Sequence, residues 1–309
     1  MIGKDSCLSA VMGVQKWIQN KKVASVWCMV LTLLAGMWAA PAWCATQAGS
    51  DTPGVVQKKL SSSPDKLLVQ WQTAQGASLR ALVDVPARPR AAVILFAGDN
   101  GCLGLTENGE QASLQGNFLA RSRDLFVKEG LIAVLVDVPS SVSGQSASGY
   151  RTSADQAQDA AMVMDFVRKQ WRVPVALVGT SRGTISAANT AARLERGNAD
   201  ALVLTSSVTQ SNKKGSGTIY DAGLSRISIP VLILHNEQDA CKVSPYSGVQ
   251  GLQRALKSAP RKDIISLSHG SAIADACQGM SAHGYLGVEG QAVSAIANWI
   301  YSSVPTAAK

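Results

Sequence analysis

The sequence is poor in the residues that proteins use to bind nucleic acids. Aromatic residues make up 5% of its 309 residues, and the 29 lysines and arginines are scattered along the chain. A protein that follows a phosphate backbone needs its basic residues gathered in a patch or stripe. The formal net charge of +8 therefore indicates solubility, and we expect no nucleic-acid partner.

Motifs for nucleotides and metal ions are also missing. The glycine-containing segment GDNGCLGL, residues 98–105, lacks the lysine-threonine ending of a phosphate loop and precedes no dinucleotide fingerprint. The chain has only 3 histidines, and their spacing from cysteines and acids does not form a metal site. We therefore expect neither a cofactor nor a bound metal.

Charge is absent from residues 23–45, VASVWCMVLTLLAGMWAAPAWCA. Residues 1–22, which precede this run, carry 4 lysines against one acid. A basic segment, an apolar run and small residues before a polar start are typical of a secretory signal peptide. We predict that residues 1–45 are such a signal, so that the protein is periplasmic or secreted and meets a membrane only transiently, through this segment.

An uncleaved anchor is the alternative, because an apolar run of this length could cross a bilayer. Pro41 and the alanines near it favour cleavage, which we place between Ala42 and Ala48. Removal of the signal leaves enough chain for one sizeable α/β domain. We predict that this domain covers residues 67–304 and that residues 46–66 form an exposed N-terminal segment.

Cysteines are few after the signal is removed. Three remain in the mature chain: Cys102, Cys241 and Cys277. An exported protein can keep a disulfide, and three cysteines allow one pair and one leftover thiol.

Apolar runs alternate with helical patterns along the mature chain. The predicted strands are residues 67–75, 79–86, 91–98, 131–139, 175–181, 201–207, 230–237 and 263–268. The first two alternate polar with apolar residues, as in an antiparallel hairpin at a sheet edge. The next five are nearly continuous apolar runs, which is typical of strands covered on both faces.

Five segments between or after these strands are predicted to be helices. They are residues 114–130, 153–171, 182–195, 249–259 and 288–303. Ser153 and Gln156 have the spacing of a capping box at the start of the second of these helices. Strands that alternate with helices predict a mostly parallel sheet with helices on both faces.

The pentapeptide GTSRG, residues 179–183, lies where a predicted strand meets a predicted helix. A G-x-S-x-G turn at such a junction holds its serine in a strained conformation with the hydroxyl exposed. One pentapeptide is weak evidence in a chain with 27 glycines. Because a serine hydroxyl needs a base, and the base needs a carboxylate to orient it, Ser181 is a credible nucleophile only if both follow.

Both residue types do follow Ser181. The seventh predicted strand runs into a loop with Glu237 and Asp239, and the eighth is followed by a segment with His269 and His283. A carboxylate placed a few residues beyond the strand end can turn back under the histidine. This position favours Asp239 over Glu237 as the acid.

The order serine, acid, histidine on this alternating pattern is the order of the α/β-hydrolase fold. The chain resembles that superfamily over nearly all of its mature length, most strongly in VALVGTSRG (175–183), PVLILHNEQD (230–239) and AHGYLGVEGQAVSAIANWI (282–300). It is similar to small exported bacterial esterases rather than to lidded lipases. The resemblance implies an α/β fold with a mostly parallel eight-stranded sheet, helices on both faces and little or no lid.

The resemblance also bears on the base and the oxyanion site. His283 matches the superfamily's pattern at the entry to the last helix, while His269 stands where many members place their base and remains the alternative. Two backbone N–H groups must point to where negative charge develops. The resemblance implies that Arg182 and Asp99 supply them, with Asn100 as an alternative to Asp99.

If the chain has this fold, Cys241 and Cys277 lie in neighbouring loops of the site. We hypothesise that they form a disulfide that holds the loop of Asp239 against the loop of His283. Arg151 and Arg182 could bind an acidic group of a substrate, although solvated or ion-paired roles are the simpler interpretation.

The sequence thus predicts an exported serine hydrolase that cleaves a carboxylic ester, or a related acyl bond of a small molecule, through an acyl-enzyme on Ser181. A serine peptidase or thioesterase on the same scaffold is an alternative, and so is a catalytically silent binding protein, because fold alone does not assign function. The sequence identifies neither the substrate nor the oligomeric state.

Overall fold

The computed structural model describes residues 54–60, 66–142, 147–194, 199–211 and 217–304. The predicted signal peptide, residues 1–45, lies outside these ranges and remains a prediction. Within them, no helix has both the length and the apolar character needed to cross a membrane.

Nine strands form one sheet in the order β1-β2-β3-β5-β4-β6-β7-β8-β9. Their bounds are Val55–Lys59, Lys66–Gln72, Ser78–Asp84, Ala91–Phe96, Leu131–Val136, Val175–Thr180, Ala201–Thr205, Val231–Asn236 and Lys262–Leu267. Strands β1, β2 and β3 pair antiparallel, and β3 pairs antiparallel with β5. The strands β4 to β9 are parallel to one another, so the sheet is mostly parallel, as predicted.

All eight predicted strands are present, but the sheet has one strand more than predicted. Strand β1 lies in the segment that we expected to be exposed, and four of its five residues, VVQKK, are exposed. Its sequence offers no apolar alternation because neither face of the strand is well covered; the strand joins the sheet through its backbone pairing with β2. Lys58 adds a link to the rest of the molecule, since its Nζ donates to the carbonyl oxygen of Glu107 at 3.1 Å.

Within the described ranges, seven α-helices connect or follow the strands. From α1 to α7 they are Phe118–Arg121, Arg123–Lys128, Ala147–Tyr150, Ala154–Trp171, Gly183–Arg193, Val249–Ala255 and Glu289–Ser303. The helix predicted over residues 114–130 starts four residues later and is divided between α1 and α2, and α3 was not predicted. The structure also has single 3₁₀ turns at Ile219–Ala222, Leu224–Arg226, Tyr246–Gly248 and Ala282–Gly284.

The start of α4 differs from the predicted capping box. Ser153 caps the helix by accepting a hydrogen bond from the N–H of Gln156 at 3.1 Å. The side chain of Gln156 does not return to Ser153. It donates to Oγ1 of Thr190 at 3.1 Å and accepts from Nδ2 of Asn189 at 2.8 Å, which ties α4 to α5.

The central strands are apolar throughout because both of their faces are covered. On β4, Ala92, Ile94 and Phe96 pack into the core beneath α4, α5 and α6. The alternate residues Ala91, Val93 and Leu95 pack into a second core beneath α1, α2 and α7. This arrangement explains the continuous apolar runs and leaves the carboxyl ends of the strands as the edge where loops can carry polar side chains.

We predict that Ile94→Ala lowers the free energy of unfolding by about 2–5 kcal/mol, because Ile94 is fully buried in the central strand. Val56→Ala on β1 is a matched control, since that side chain is 62% exposed. Its effect should stay within about 0.5 kcal/mol. Urea unfolding of both variants measures the difference, and equal losses would contradict this description of the core.

Candidate active site

The turn between β6 and α5 holds Ser181 in the left-handed region, with φ of 53°. Non-glycine residues adopt this conformation at a cost of about 1–3 kcal/mol, and such residues cluster at functional sites. The flanking positions must be glycine because neither has room for a Cβ atom. A Cβ on Gly179 would lie 2.5 Å from the carbonyl oxygen of Gly183, and one on Gly183 would lie 2.0 Å from that of Phe96.

Backbone hydrogen bonds fix the strained serine in place. The N–H of Ser181 donates to the carbonyl oxygen of Thr205 at the end of β7, at 2.9 Å. The carbonyl oxygen of Ser181 accepts from the N–H of Thr184 at 3.1 Å and from its Oγ1 at 2.6 Å. Ser181 lines a cavity of about 530 Å³, which His283 also lines.

Asp239 and His283 meet at this cavity although they are 44 residues apart in the chain. Nδ1 of His283 and Oδ2 of Asp239 are 2.8 Å apart, and both residues are buried. The other oxygen, Oδ1, accepts from the N–H of Cys241 at 2.9 Å. The carboxylate therefore orients the imidazole, and its own position is fixed by the backbone of its loop.

The pKa of Asp239 is lowered from its ordinary value despite the burial of the carboxyl group. Burial alone would raise the pKa, because it disfavours the charged form. Hydrogen bonds from His235 and His283, the charge of His283 and the N–H of Cys241 outweigh that effect. Asp239 thus stays ionised, as a carboxylate that orients a histidine must.

A second histidine contacts the same carboxylate, and sequence reasoning missed this contact. His235, at the end of β8, is buried as expected of a structural residue. Its Nε2 lies 3.0 Å from the carbonyl oxygen of Ser244 and 3.3 Å from Oδ2 of Asp239. His235 therefore contacts the same carboxylate oxygen as His283, and only its position next to the acid loop hinted at this.

The second ring nitrogen of His283, Nε2, is not used in the contact with Asp239. Nε2 of His283 is buried and has no hydrogen-bond partner in the described part of the chain. A buried polar atom without a partner in a native structure calls for an explanation, and a catalytic role is one such explanation. In a serine hydrolase this nitrogen is the one that takes the proton of the nucleophile.

The alternatives that the sequence left open lie elsewhere. His269 is exposed, and its only hydrogen bond to another described residue uses the backbone, whose carbonyl oxygen accepts from Nδ2 of Asn236 at 2.9 Å. Glu237 is exposed, while Asp239 is buried. The structure thus brings together Asp239 and His283, and it leaves His269 and Glu237 outside the pair.

Hydrogen bonds across the sheet edge position the loop of His283. The hydroxyl of Ser206 donates to the carbonyl oxygen of His283 at 2.8 Å. Tyr285 is fully buried, and its hydroxyl donates to the carbonyl oxygen of Leu234 at 2.8 Å. The loop is therefore anchored to the ends of β7 and β8, beside the residues that carry Ser181 and Asp239.

Arg121 anchors the same loop from the other side of the cavity. Its Nη2 donates to the carbonyl oxygen of Gly284 at 2.6 Å, and its Nη1 donates to that of Gly116 at 2.7 Å. An ion pair with Glu289 at 2.9 Å holds the guanidinium between them. Two walls of the cavity thereby share one side chain, which the sequence did not reveal because its contacts with both walls are to backbone carbonyl groups.

The two predicted oxyanion donors, Asp99 and Arg182, line the same cavity as the nucleophile. A Cβ on Gly98 would lie 3.0 Å from the Cβ of Ser181, so the loop after β4 touches the serine. Asp99 follows with φ of 50°. Neither the N–H of Asp99 nor that of Arg182 donates a hydrogen bond to another described residue. Both residues line the cavity, so these N–H groups are candidates to bind a ligand there.

The predicted disulfide between Cys241 and Cys277 is present in the structure. It joins the loop after Asp239 to the loop before His283, and both cysteines line the cavity. Cys102 is disulfide-bonded as well, so the expectation of a leftover thiol is wrong. The disulfide also bears on metal binding. Asp239, Cys241 and His283 are the group of potential ligands that the described residues bring together, but this cysteine has no free thiolate.

No protein-family model matches the chain, and no curated protein matches its sequence. Solved structures with the α/β-hydrolase fold do match. An esterase from an Arctic intertidal metagenomic library is 12% identical, with a TM-score of 0.53, over 81% of this chain and 97% of the other. Esterase 2 of Thermogutta terrifontis is 16% identical, with a TM-score of 0.55, over 80% and 98%. An esterase of Pyrococcus furiosus is 10% identical, with a TM-score of 0.55, over 78% and 92%.

These similarities establish the fold, and at such low identity they establish no more. The chain has the α/β-hydrolase fold, with a mostly parallel sheet and helices on both of its faces. The roles of its residues must be argued from their own geometry.

We predict that replacing both Cys241 and Cys277 by alanine lowers the free energy of unfolding by about 4 kcal/mol, because the bond closes a long loop. The wild-type protein should resist alkylation at both positions until a reductant is added, which intact-mass measurement detects. Alkylation of both residues without reductant would show that the bond is absent in solution.

The lowered pKa of Asp239 predicts a pH dependence of stability. A carboxyl group whose pKa is lower in the folded state than its ordinary value of 3.8 stabilises the fold above that value. The stabilisation is lost as the pH falls through the folded-state pKa. Between about pH 6 and about pH 2, the wild-type protein should therefore lose more unfolding free energy than Asp239→Asn. Urea unfolding across this range measures the difference, and parallel curves would contradict the prediction.

Proposed function

We propose that this protein is a serine hydrolase that cleaves a carboxylic ester, or a related acyl bond, through an acyl-enzyme on Ser181. The observation that carries the proposal is the 2.8 Å contact between Asp239 and His283, together with the unpartnered Nε2 of His283, a residue that lines the same cavity as the strained Ser181. A core histidine without a catalytic role would be expected to have both ring nitrogens satisfied.

The proposed reaction has two halves, the acylation of Ser181 and the hydrolysis of the acyl-enzyme. Ser181, His283 and Asp239 take part in both. Oγ of Ser181 attacks the carbonyl carbon while Nε2 of His283 takes its proton, and Asp239 stabilises the imidazolium that forms. The oxyanion of the tetrahedral intermediate accepts hydrogen bonds from the N–H groups of Asp99 and Arg182. His283 then gives the proton to the leaving group, and water hydrolyses the acyl-enzyme by the same steps.

The cavity supports a small or medium-sized acyl substrate. Its volume is about 530 Å³, within the range of sites for small molecules. The apolar part of its lining comes from Leu114, Phe118, Val208, Val243 and Met280. These side chains suit a hydrocarbon acyl or alcohol group. Two short wall segments, residues 114–118 and 274–280, bound the cavity, and neither is a separate lid domain. We propose in addition that the protein is exported, on the strength of its predicted signal peptide.

Ser181→Ala should reduce the hydrolysis of a panel of nitrophenyl esters, graded by acyl length, by at least about 10³-fold, because the covalent step is lost. The variant should keep its unfolding midpoint, since the serine hydroxyl makes no hydrogen bond within the described residues. The rest of the panel then identifies the acyl length that the cavity accepts. Activity retained by Ser181→Ala would contradict the proposed nucleophile.

Reaction with a fluorophosphonate probe separates the enzyme from a catalytically silent binding protein of the same fold. An esterase with this fold, that of Thermogutta terrifontis, has been phosphoramylated by tabun, which makes an organophosphorus probe a reasonable choice. We expect an adduct on Ser181 in the wild-type protein and in His269→Ala, but little in His283→Ala. Loss of labelling in His269→Ala alone would assign the base to His269, and no labelling of the folded wild type would favour the binding protein.

A further inference from the structure

We propose that Arg151 is a positioning residue that holds the oxyanion-binding loop, residues 97–102, in its active conformation. The inference rests on the proposed function, since it concerns how the N–H of Asp99 reaches the reacting oxygen. Arg151 follows α3 directly and lies behind the loop. It does not contact the reacting atoms in this proposal, and it acts through the backbone that it holds.

One nitrogen of Arg151 binds three consecutive carbonyl groups of the loop. Nη2 lies 3.1 Å from the carbonyl oxygen of Ala97, 3.3 Å from that of Gly98 and 3.1 Å from that of Asp99. Hydrogen bonds to a charged donor are stronger than those between neutral groups. Three successive carbonyl groups are therefore turned toward the same point inside the protein.

This contact determines where the oxyanion donor points. The carbonyl group of Gly98 and the N–H of Asp99 belong to one trans peptide unit, so they point in opposite directions. When Arg151 holds the oxygen, the N–H must point away from Arg151. Gly98 and Asp99 both line the cavity next to Ser181, so that direction is the one an oxyanion donor requires.

The same guanidinium also contacts the helix of the nucleophile. Nη1 of Arg151 donates to Oγ of Ser186 on α5 at 3.0 Å. Gly101 closes the loop over the guanidinium with φ of 77°, and a Cβ there would lie 2.7 Å from Nη2. Arg151 thus links the loop that carries Asp99 to the helix that begins just after Ser181, and it does so with a planar fork that lysine does not have.

Arg151 is a costly residue to keep for stability alone. It is 3% exposed, and no carboxylate among the described residues lies within ion-pair distance of it. Burial and the nearby charge of Arg182 lower the pKa of Arg151 to about 9, and the charge of Asp99 opposes them only in part. This pKa is still above neutral pH, so the side chain remains a cation. A buried cation without a carboxylate partner costs folding free energy, and a role in the site explains why this position holds arginine.

The test compares an ester with its thionoester, in which sulfur replaces the carbonyl oxygen. A hole shaped for an oxyanion stabilises the oxygen compound better, so the wild-type enzyme should strongly prefer the ester. In Arg151→Lys and Arg151→Met we expect kcat for the ester to fall by about 10–100-fold with KM changed less than about threefold, because the lost interaction acts in the transition state. The kcat for the thionoester should fall much less, so that the preference of the enzyme for the ester over the thionoester becomes smaller.

Arg168→Met is the matched control, since Arg168 lies in the last turn of α4, far along that helix from the site, and forms an ion pair with Asp200 at 2.8 Å. It should lose stability while it keeps the full preference for the ester. Arg151→Lys keeps the charge and most of the volume, so it carries the test if Arg151→Met does not fold. Equal losses on ester and thionoester in Arg151→Lys would mean a merely structural role and would overturn the proposal. Labelling of the wild type by the fluorophosphonate probe keeps this outcome distinct from a failure of the proposed function.

Discussion

The close approach of the serine turn to β4 is the constraint on which the candidate site depends. Gly183 lies so near the end of that strand that a Cβ would stand 2.0 Å from the carbonyl oxygen of Phe96. This contact sets Ser181 directly beside Gly98, where the loop after β4 begins. The nucleophile and the loop that would bind the oxyanion are thus positioned by one packing contact, and a larger residue at either glycine would separate them.

The other two members of the site are brought to the same place by polar contacts rather than by apolar packing. Asp239 is held by the N–H of its own loop and by His235. The loop of His283 is held by Ser206 and Arg121, which bind its carbonyl groups. Each of these contacts joins different elements, so the geometry of the site depends on the whole carboxyl edge of the sheet. The disulfide between the loops of Asp239 and His283 adds a covalent link to this network.

The sequence allowed the fold to be predicted because the central strands are covered on both faces. Their continuous apolar runs are a strong signal, and the strand that carries mostly exposed residues, β1, was the one missed. The juxtaposition of Asp239 with His283 also followed from chain order, because the carboxyl ends of parallel strands lie at one edge. Only half of the predicted capping box is present: Ser153 caps α4, but the side chain of Gln156 bonds to Thr190 and Asn189 on α5 instead.

The supporting residues could not be predicted, for a physical reason. Arg151 and Arg121 bind backbone carbonyl groups, and any sequence supplies those acceptors, so no residue pairing marks such contacts. His235 gave a similar problem, because a histidine at the end of a buried strand is typical of a structural residue. Its contact with Asp239 depends on how the loop turns back, and that turn is fixed by tertiary contacts.

The central claim is that Ser181 forms a covalent acyl-enzyme with His283 as its base. Rapid acid quenching during turnover of a slowly deacylating nitrophenyl ester, followed by intact-mass and peptide-mass measurement, tests it most directly. The claim predicts a mass increase equal to the acyl group, located on the peptide that contains Ser181, with an initial burst of nitrophenol of matching size. Hydrolysis without a burst and without any mass increase on that peptide would contradict it.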